Sequence, residues 1–492
     1  MATLSPEKLR QIEVYPSDRL SKWVIERLMQ QPEVSLPALL DAAMERRYSA
    51  NPNERFFTGG GVHTFSNFNP KDDNKVLSVR AAFHHSVNLV FIRLMRDIVN
   101  FYQFQVPGSS AKLLLDAEDP RRQSYLERFA DREGRVFLYR FYQKYSGQSG
   151  DDMLSAIVAT VKASPSRLAA TLRFIEPNWM LEDFDDKFRA YAPDMQFTKE
   201  AIEKLYDDNG PNRFDLNDRG YITRIHPLEL WLVSYLRRNP QATFHQVLDE
   251  STHERIAVYR WLFATRRKKA QDIRIRSLLE VEAFLEIHRN WQRVGYPFDR
   301  LVPSYATAIG SSADRPAALA GLMGIILNDG MFYPTYRVSE LRFAASTPYE
   351  TVFGPAQAVG QRVLPAEVAA AVREVLIGTV REGTARRASS VTNMADGREI
   401  VIGGKTGTGD HRFKVFGPGR TLLEERVVSR SAVFVFFIGN RYFGIVTAYV
   451  PGPRASDYEF TSALPVQLFT ALAPFLIEGS HDPILPIQQS AK

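Results

Sequence analysis

The chain has 492 residues, of which 45% are hydrophobic and 24% charged, the balance of a globular protein with more than one domain or subdomain. It contains no cysteine, which excludes disulfides, thiolate metal sites and a cysteine nucleophile. The formal charge of +6 is small for this length; it suits an anionic polymer or lipid surface, and without an aromatic-plus-basic module it predicts no nucleic-acid partner.

The start, Met1–Arg10, is polar, shows no signal peptide or membrane span, and reads like the interior of a longer protein. Apolar spacing predicts helices over Arg19–Leu28 and Leu36–Met44. Phe56–Phe65 breaks that period with three glycines; no lysine or helix start follows, so a turn or irregular crossing is expected, not an anion cradle. Leu77–Phe83 and Leu89–Arg96 have helical spacing again, which puts Ser86 and Asn88 on a short inter-helix connection. From Asn100 to about Asn290 the sequence is helical and rich in aromatics and arginines, as in Leu228–Leu236 and Tyr259–Phe263. Arg266–Lys269, with Arg274 and Arg276, reads as a solvated helix face, the alternative being contact with glycan or lipid head groups. Ala432–Ile438, a Gly439–Asn440 turn and Tyr442–Val450 predict a hairpin, and Phe460–Ile477 a packing helix.

Gly403–Gly409, which reads Gly-Gly-Lys-Thr-Gly-Thr-Gly, is entered from the short β-branched stretch Arg398–Ile402. A strand ending there would offer one small carboxylate the Lys405 ammonium, the Thr406 and Thr408 hydroxyls and free amides, with the glycines from Gly403 to Gly407 letting a substrate backbone lie close. This chemistry suits a serine acyltransferase. A phosphate loop fails on spacing, because the Walker A pattern needs glycine five residues before Gly404, where Glu399 stands. After Gly409 the run through Asp410 to Gly417-Pro418-Gly419 predicts a loop, where a phosphate loop would open a helix. Ser86-Val87-Asn88 alone would be read as a helix N-cap.

Taken in order, Ser86-x-Asn88 and Lys405-Thr-Gly-Thr408 resemble the transpeptidase domain of class A penicillin-binding proteins, whose signature is Ser-x-x-Lys, Ser-x-Asn and Lys-Thr-Gly. Val76–Leu94, Tyr305–Gly310, Pro316–Ala320, Asn328–Gly330 with Pro334, and Glu382–Arg387 extend the resemblance to roughly half of the chain. It implies an α/β fold of the α+β kind, an antiparallel sheet flanked by helices with a large helical insertion. The parts are then residues 1–104 and 296–480 of the transpeptidase-like domain, the insertion 105–295 and a tail 481–492. The implied activity is peptidoglycan D,D-transpeptidation by serine acyl transfer, in the periplasm or cell envelope, with no metal or cofactor. Stem peptides are the implied partners, with β-lactams as ligands and other cell-wall proteins beside them; membrane contact would come only through an absent N-terminal segment. By position, Thr406 and Thr408 would hold the terminal carboxylate on either side of Gly407, and Lys405 would add positive potential. Ser86 would relay a proton to the leaving amine, Asn88 would bond the substrate amide, and the Thr408 N–H would serve the oxyanion. His84 and His85 are read as structural or surface residues, with no acidic partner completing a triad.

This chemistry also needs a serine with a lysine one helical turn away. Ser5-x-x-Lys8 lies at the chain tip. Ser109-x-x-Lys112 follows the Ser-x-Asn element instead of preceding it, and a helix over 89–104 would carry the chain ~24 Å from Asn88. The expected nucleophile therefore lies upstream of Met1, with the family's first strands and glycosyltransferase domain. Three of the family's five strands are found here, so Tyr442–Val450 should expose an unpaired edge. Two alternatives stay open: a non-catalytic envelope scaffold that keeps the carboxylate site, and a D,D-carboxypeptidase or β-lactamase relative.

Overall fold

Both early helices form where the apolar period puts them, and each starts on a capping side chain. Asp18 accepts the Ser21 N–H at 3.0 Å to open Arg19–Gln30, and Ser35 accepts that of Ala38 to open Leu36–Met44. The computed structural model describes residues 5–478, apart from 59–60, 107–108, 110, 162, 264, 355–358, 393–398 and 417–421. Contacts divide the chain into two units, one made of Met1–Ser109 and Glu280–Lys492, the other of Ser110–Leu279.

In the first unit Phe56–Thr58 and Gly61–His63 pair antiparallel, where the sequence predicts a turn or irregular crossing. Arg47–Ser49 pairs with Val76–Ser78, after which the chain enters α1 (Val79–His85) and α2 (Asn88–Tyr102). The later part supplies α3 (Pro316–Leu327), α4 (Ala366–Arg381) and an antiparallel sheet of β1 (Ile402–Phe416), β2 (Leu422–Ile438) and β3 (Tyr442–Pro451), followed by α5 (Ala463–Glu478). The strand order is β3-β2-β1. Phe434, Phe436 and Ile438 face Phe469 of α5, while Val435 and Phe437 face Met323 of α3 and Leu376 of α4. Both faces of β2 are thus covered, which explains its unbroken apolar run. Among the described residues no further strand pairs with the outer edge of β3 or of β1.

Two expectations are corrected here. Lys405 lies near the start of a long strand, not at the end of a short one, because the strand begins at Ile402 and runs to Phe416. The stretch 410–416 is correspondingly strand, not loop, while Gly417-Pro418-Gly419 lie outside the described residues; the strand pairs with Leu422–Arg430, and Arg412 and Glu425 form an ion pair across the ribbon at 2.9 Å.

The second unit is helical among its described residues. Leu138, Leu168, Leu172, Phe184, Phe188 and Leu232, all fully buried, come from successive helices and fill one core. Arg266, Arg267 and Lys269 are exposed, as a solvated face requires. Among the described residues no helix is long and apolar enough to cross a membrane.

Candidate functional site

The site forms where the connection between α1 and α2 meets β1. Helix α1 ends at Ser86, which adopts the left-handed conformation with φ 55° and ψ 45°. Val87 then starts α2, so Ser86 occupies the predicted connection while Asn88 is the first helical residue. A non-glycine residue in this region costs about 1–3 kcal/mol and persists only where its surroundings hold it. They do so here from several sides. Val87 donates its N–H to the Ala82 carbonyl at 3.0 Å, and Thr384 donates its N–H to the His84 carbonyl at 2.9 Å.

The turn after α4 presses on α1 at close range. A Cβ on Gly383 would stand 2.3 Å from the His84 carbonyl oxygen, and one on Gly378 would stand 2.2 Å from His84 Nε2. His84 is buried, and its Nδ1 meets Glu382 Oε1 at 2.8 Å. Burial lowers the His84 pKa, against the pull of Glu382. His84 thus has an acidic partner, Glu382, which sequence reasoning did not name. No hydrogen bond joins its ring to Ser86, however, and its Nε2 has no partner among the described residues. Its structural assignment follows from that geometry.

Lys405 reaches across to this turn. Its Nζ hydrogen-bonds Ser86 Oγ and the Thr406 carbonyl, the latter at 2.8 Å, and lies 5.6 Å from the centre of the Phe83 ring. Desolvation pulls the Lys405 ammonium down to about 8. No carboxylate pairs with it among the described residues.

Alternation along β1 sends Thr406 and Thr408 to the face opposite Lys405. Thr406 is buried, with its Oγ1 2.6 Å from Thr384 Oγ1; one of these two hydroxyls donates to the other, and the pair keeps one O–H to give. Thr408 Oγ1 accepts the Ser462 N–H at 2.9 Å beside the start of α5, leaving its own proton to donate. Asn88 donates from Nδ2 to the Ser66 carbonyl at 3.2 Å, and Asn67 Oδ1 takes the Leu89 N–H at 3.0 Å. Among the described residues β1 is an edge strand of its sheet.

The solved structures that match the chain include penicillin-binding proteins and a peptidoglycan D,D-transpeptidase domain. Penicillin-binding protein 3 from Mycobacterium tuberculosis, solved with aztreonam, is 20% identical over 42% of this chain and 49% of its own, with a TM-score of 0.29. The D,D-transpeptidase domain of a peptidoglycan glycosyltransferase from Eggerthella lenta is 15% identical over 92% of this chain and 72% of its own, with a TM-score of 0.32. A peptidoglycan synthetase from Bifidobacterium adolescentis is 14% identical over 44% and 42%, with a TM-score of 0.28. The chain thus spans about half the length of the penicillin-binding protein it matches. No family model and no curated protein matches the chain.

The two Ser-x-x-Lys sequences fare alike. Ser5 caps the helix Pro6–Arg10 by accepting the Lys8 N–H at 3.4 Å, and Ser109 donates its hydroxyl to the Gln103 carbonyl at 2.8 Å. The Lys112 side chain lies outside the described residues. Gly403 and Gly404 make room for protein, not substrate: a Cβ there would stand 2.3 Å from the Phe437 ring and 2.5 Å from the Phe434 ring. At Gly407 it would meet Val433 at 2.9 Å. Thr384 and Glu382 escaped sequence reasoning, although the Glu382-Gly-Thr384 run was available as a signal. No group of His, Asp and Glu among the described residues is arranged to hold a metal ion.

Proposed function

We propose that the Ser86–Lys405 site binds the C-terminal carboxylate of a peptidoglycan stem peptide, as the substrate half of a penicillin-binding D,D-transpeptidase site in the cell envelope. The observation that carries this reading is a desolvated Lys405 ammonium with no carboxylate paired to it among the described residues, on a strand whose outer edge pairs with no described strand. A buried cation without an anion is costly, and a ligand carboxylate relieves that cost with charge-assisted hydrogen bonds. The peptide backbone would add to the edge of β1, and Asn88 would bond its amide. β-Lactams carry a carboxylate beside an amide carbonyl and are ligands of the same shape.

Calorimetric titration with an acetylated peptide ending in D-Ala-D-Ala tests the reading. Saturable binding is expected, weakened at least about tenfold when the C-terminus is amidated, the size of losing one charged hydrogen bond. Equal binding of the acid and the amide would overturn it.

A further inference from the structure

We infer that the helical unit carries a ligand site of its own, a cleft that takes a short apolar peptide in its zwitterionic form. The cleft has a volume of about 500 Å³ and is lined by residues of the helical unit alone. That volume suits a small organic molecule, not a single ion. One wall is the start of the helix Arg121–Tyr145 with the segment leading into it; the other is the helix Thr252–Ala257 with the 3-10 turn Arg260–Phe263. Leu126, Ile256 and Phe263 supply its apolar lining. Sequence spacing sets apolar and polar groups side by side in both walls. Gln123, Leu126 and Glu127 stand at i, i+3 and i+4 on one helix face, as do His253, Ile256 and Ala257.

Hydrogen bonds fix the spacing of the walls. The buried Arg122 donates to the Leu113 carbonyl at 2.8 Å and to Gln271 Oε1 at 3.0 Å, and Gln271 Nε2 donates to the Leu262 carbonyl at 3.0 Å. One amide thus ties the helix Arg121–Tyr145 to the turn that carries Phe263. Further along the same helix, Asp131 accepts from Arg255 Nε of the opposite wall at 2.7 Å. The cleft is therefore preformed, and a ligand entering it does not have to order its walls.

Charge is divided between the two sides. Asp119 is taken by Arg121, and Arg122 pairs with Asp272. Among the described residues Glu127 accepts only the Gln123 amide, at 2.9 Å, and the Glu118 side chain has no partner. Both of these carboxylates belong to one wall. Arg260, on the other, is exposed and forms no ion pair or side-chain hydrogen bond among the described residues. Opposite signs thus line one cleft without pairing to each other. A ligand with an ammonium at one end and a carboxylate at the other matches both through charge-assisted hydrogen bonds, whereas a simple cation or anion leaves one wall unmatched. A dipeptide with two apolar side chains has that layout, and its body covers Leu126, Ile256 and Phe263.

Calorimetric titration of the full chain with the dipeptide Leu-Phe, its N-acetyl form and its C-terminal amide tests the inference. Saturable one-to-one binding of Leu-Phe, tighter than about 1 mM, is expected for a ligand of this size. Each blocked form should bind roughly tenfold more weakly, having lost one charged contact. Arg260→Gln should weaken Leu-Phe by the same factor and leave the amide, which has no carboxylate to lose, unchanged. Glu118→Gln combined with Glu127→Gln should weaken Leu-Phe and spare the N-acetyl form. None of these three side chains is buried, so thermal melts of the variants should match wild type. Lys405→Met should leave all three affinities as they are, which separates this cleft from the Lys405 site. No saturation by Leu-Phe at millimolar concentration, equal binding of the three forms, or an Arg260→Gln loss shared equally by dipeptide and amide would overturn the inference. Binding lost in Lys405→Met and kept in Arg260→Gln would overturn it as well, because the peptide would then sit at the carboxylate site.

Discussion

Arg255 in the helical unit and Lys405 in the sheet unit are both cations withdrawn from water, and they keep different company. The Arg255 side chain is 1% exposed, donates from Nε to Asp131 at 2.7 Å, and lies so close to Gly134 that a Cβ there would stand 2.7 Å from its Cγ. Arg122 in the same unit pairs with Asp272 at 2.7 Å and donates to the Leu113 carbonyl at 2.8 Å. A buried charge with a carboxylate and carbonyls around it stays charged and ties helices together. Lys405 has a hydroxyl, a carbonyl and a ring, and no carboxylate among the described residues. Its charge is left for something else to balance. The counter-ion, more than depth of burial, separates a structural cation from one available for chemistry.

The largest effect is expected from removing the structural cation. Arg255→Met leaves Asp131 short of a partner in a tight helix junction, and should lower the unfolding free energy of the helical unit by roughly 3–5 kcal/mol in urea titration. A loss below about 1 kcal/mol would erase the contrast. Lys405→Met should do the reverse, weakening D-Ala-D-Ala peptide binding roughly 10- to 100-fold, while stability moves within about 1 kcal/mol because an uncompensated charge leaves with the side chain. The pH profile sharpens the point. The folded-state pKa of Lys405, about 8, lies below its ordinary value of 10.5, so between those values the unfolded chain binds more protons. Wild-type stability should therefore gain a component as pH rises through that window, and Lys405→Met should lack it.

Much of the site was legible because its parts are local in sequence. Lys405-Thr-Gly-Thr408 is punctuated by glycines, Ser86 falls between two helical periods, and β2 announces itself by an apolar run buried on both faces. What was hidden depends on partners far along the chain. Nothing near Glu382 or Thr384 indicates that they close on His84 and Thr406. Gly403 looks like space for a substrate until the antiparallel register sets it opposite Phe437. The outer half of the β1–β2 ribbon was missed because Asp410, Arg412, Glu424 and Arg426 give it a polar pattern; cross-strand pairs such as Arg412–Glu425 take the place of an apolar stripe. The strand pairs at Arg47–Ser49 and Phe56–Thr58 are too short to show a period of two.

The clamp on the Ser86 turn should yield next in size. At Gly383 the nearest atoms to an added Cβ are backbone, the His84 carbonyl oxygen at 2.3 Å and Thr379 Cα at 2.9 Å, so no flexible side chain can give way. Gly383→Ala should cost about 1–3 kcal/mol in urea unfolding, the usual price of overpacking, and should weaken D-Ala-D-Ala peptide binding by shifting the Ser86 turn. Gly409→Ala, whose Cβ would meet only Ser431 Oγ at 3.7 Å, is the control and should move stability by no more than about 0.5 kcal/mol.

The smallest expected effect concerns His84, which returns to the same contrast with a partner half supplied. Burial lowers its folded-state pKa below the ordinary 6.5, and Glu382 opposes the shift without cancelling it. As pH falls through 6.5 the unfolded chain takes up the proton before the folded chain does, so this residue's contribution to stability is present above that pH and declines below it. Urea midpoints measured from pH 7.5 to 5 should show the decline in wild type and a flatter profile in His84→Gln. Glu382→Gln removes the group that favours the protonated ring, pushing the folded-state pKa lower still, so the acid loss should extend to lower pH. A profile unchanged by Glu382→Gln would mean that the carboxylate does not act on the buried imidazole, and that the hold on the Ser86 turn comes from Gly378, Gly383 and the Thr384 amide alone.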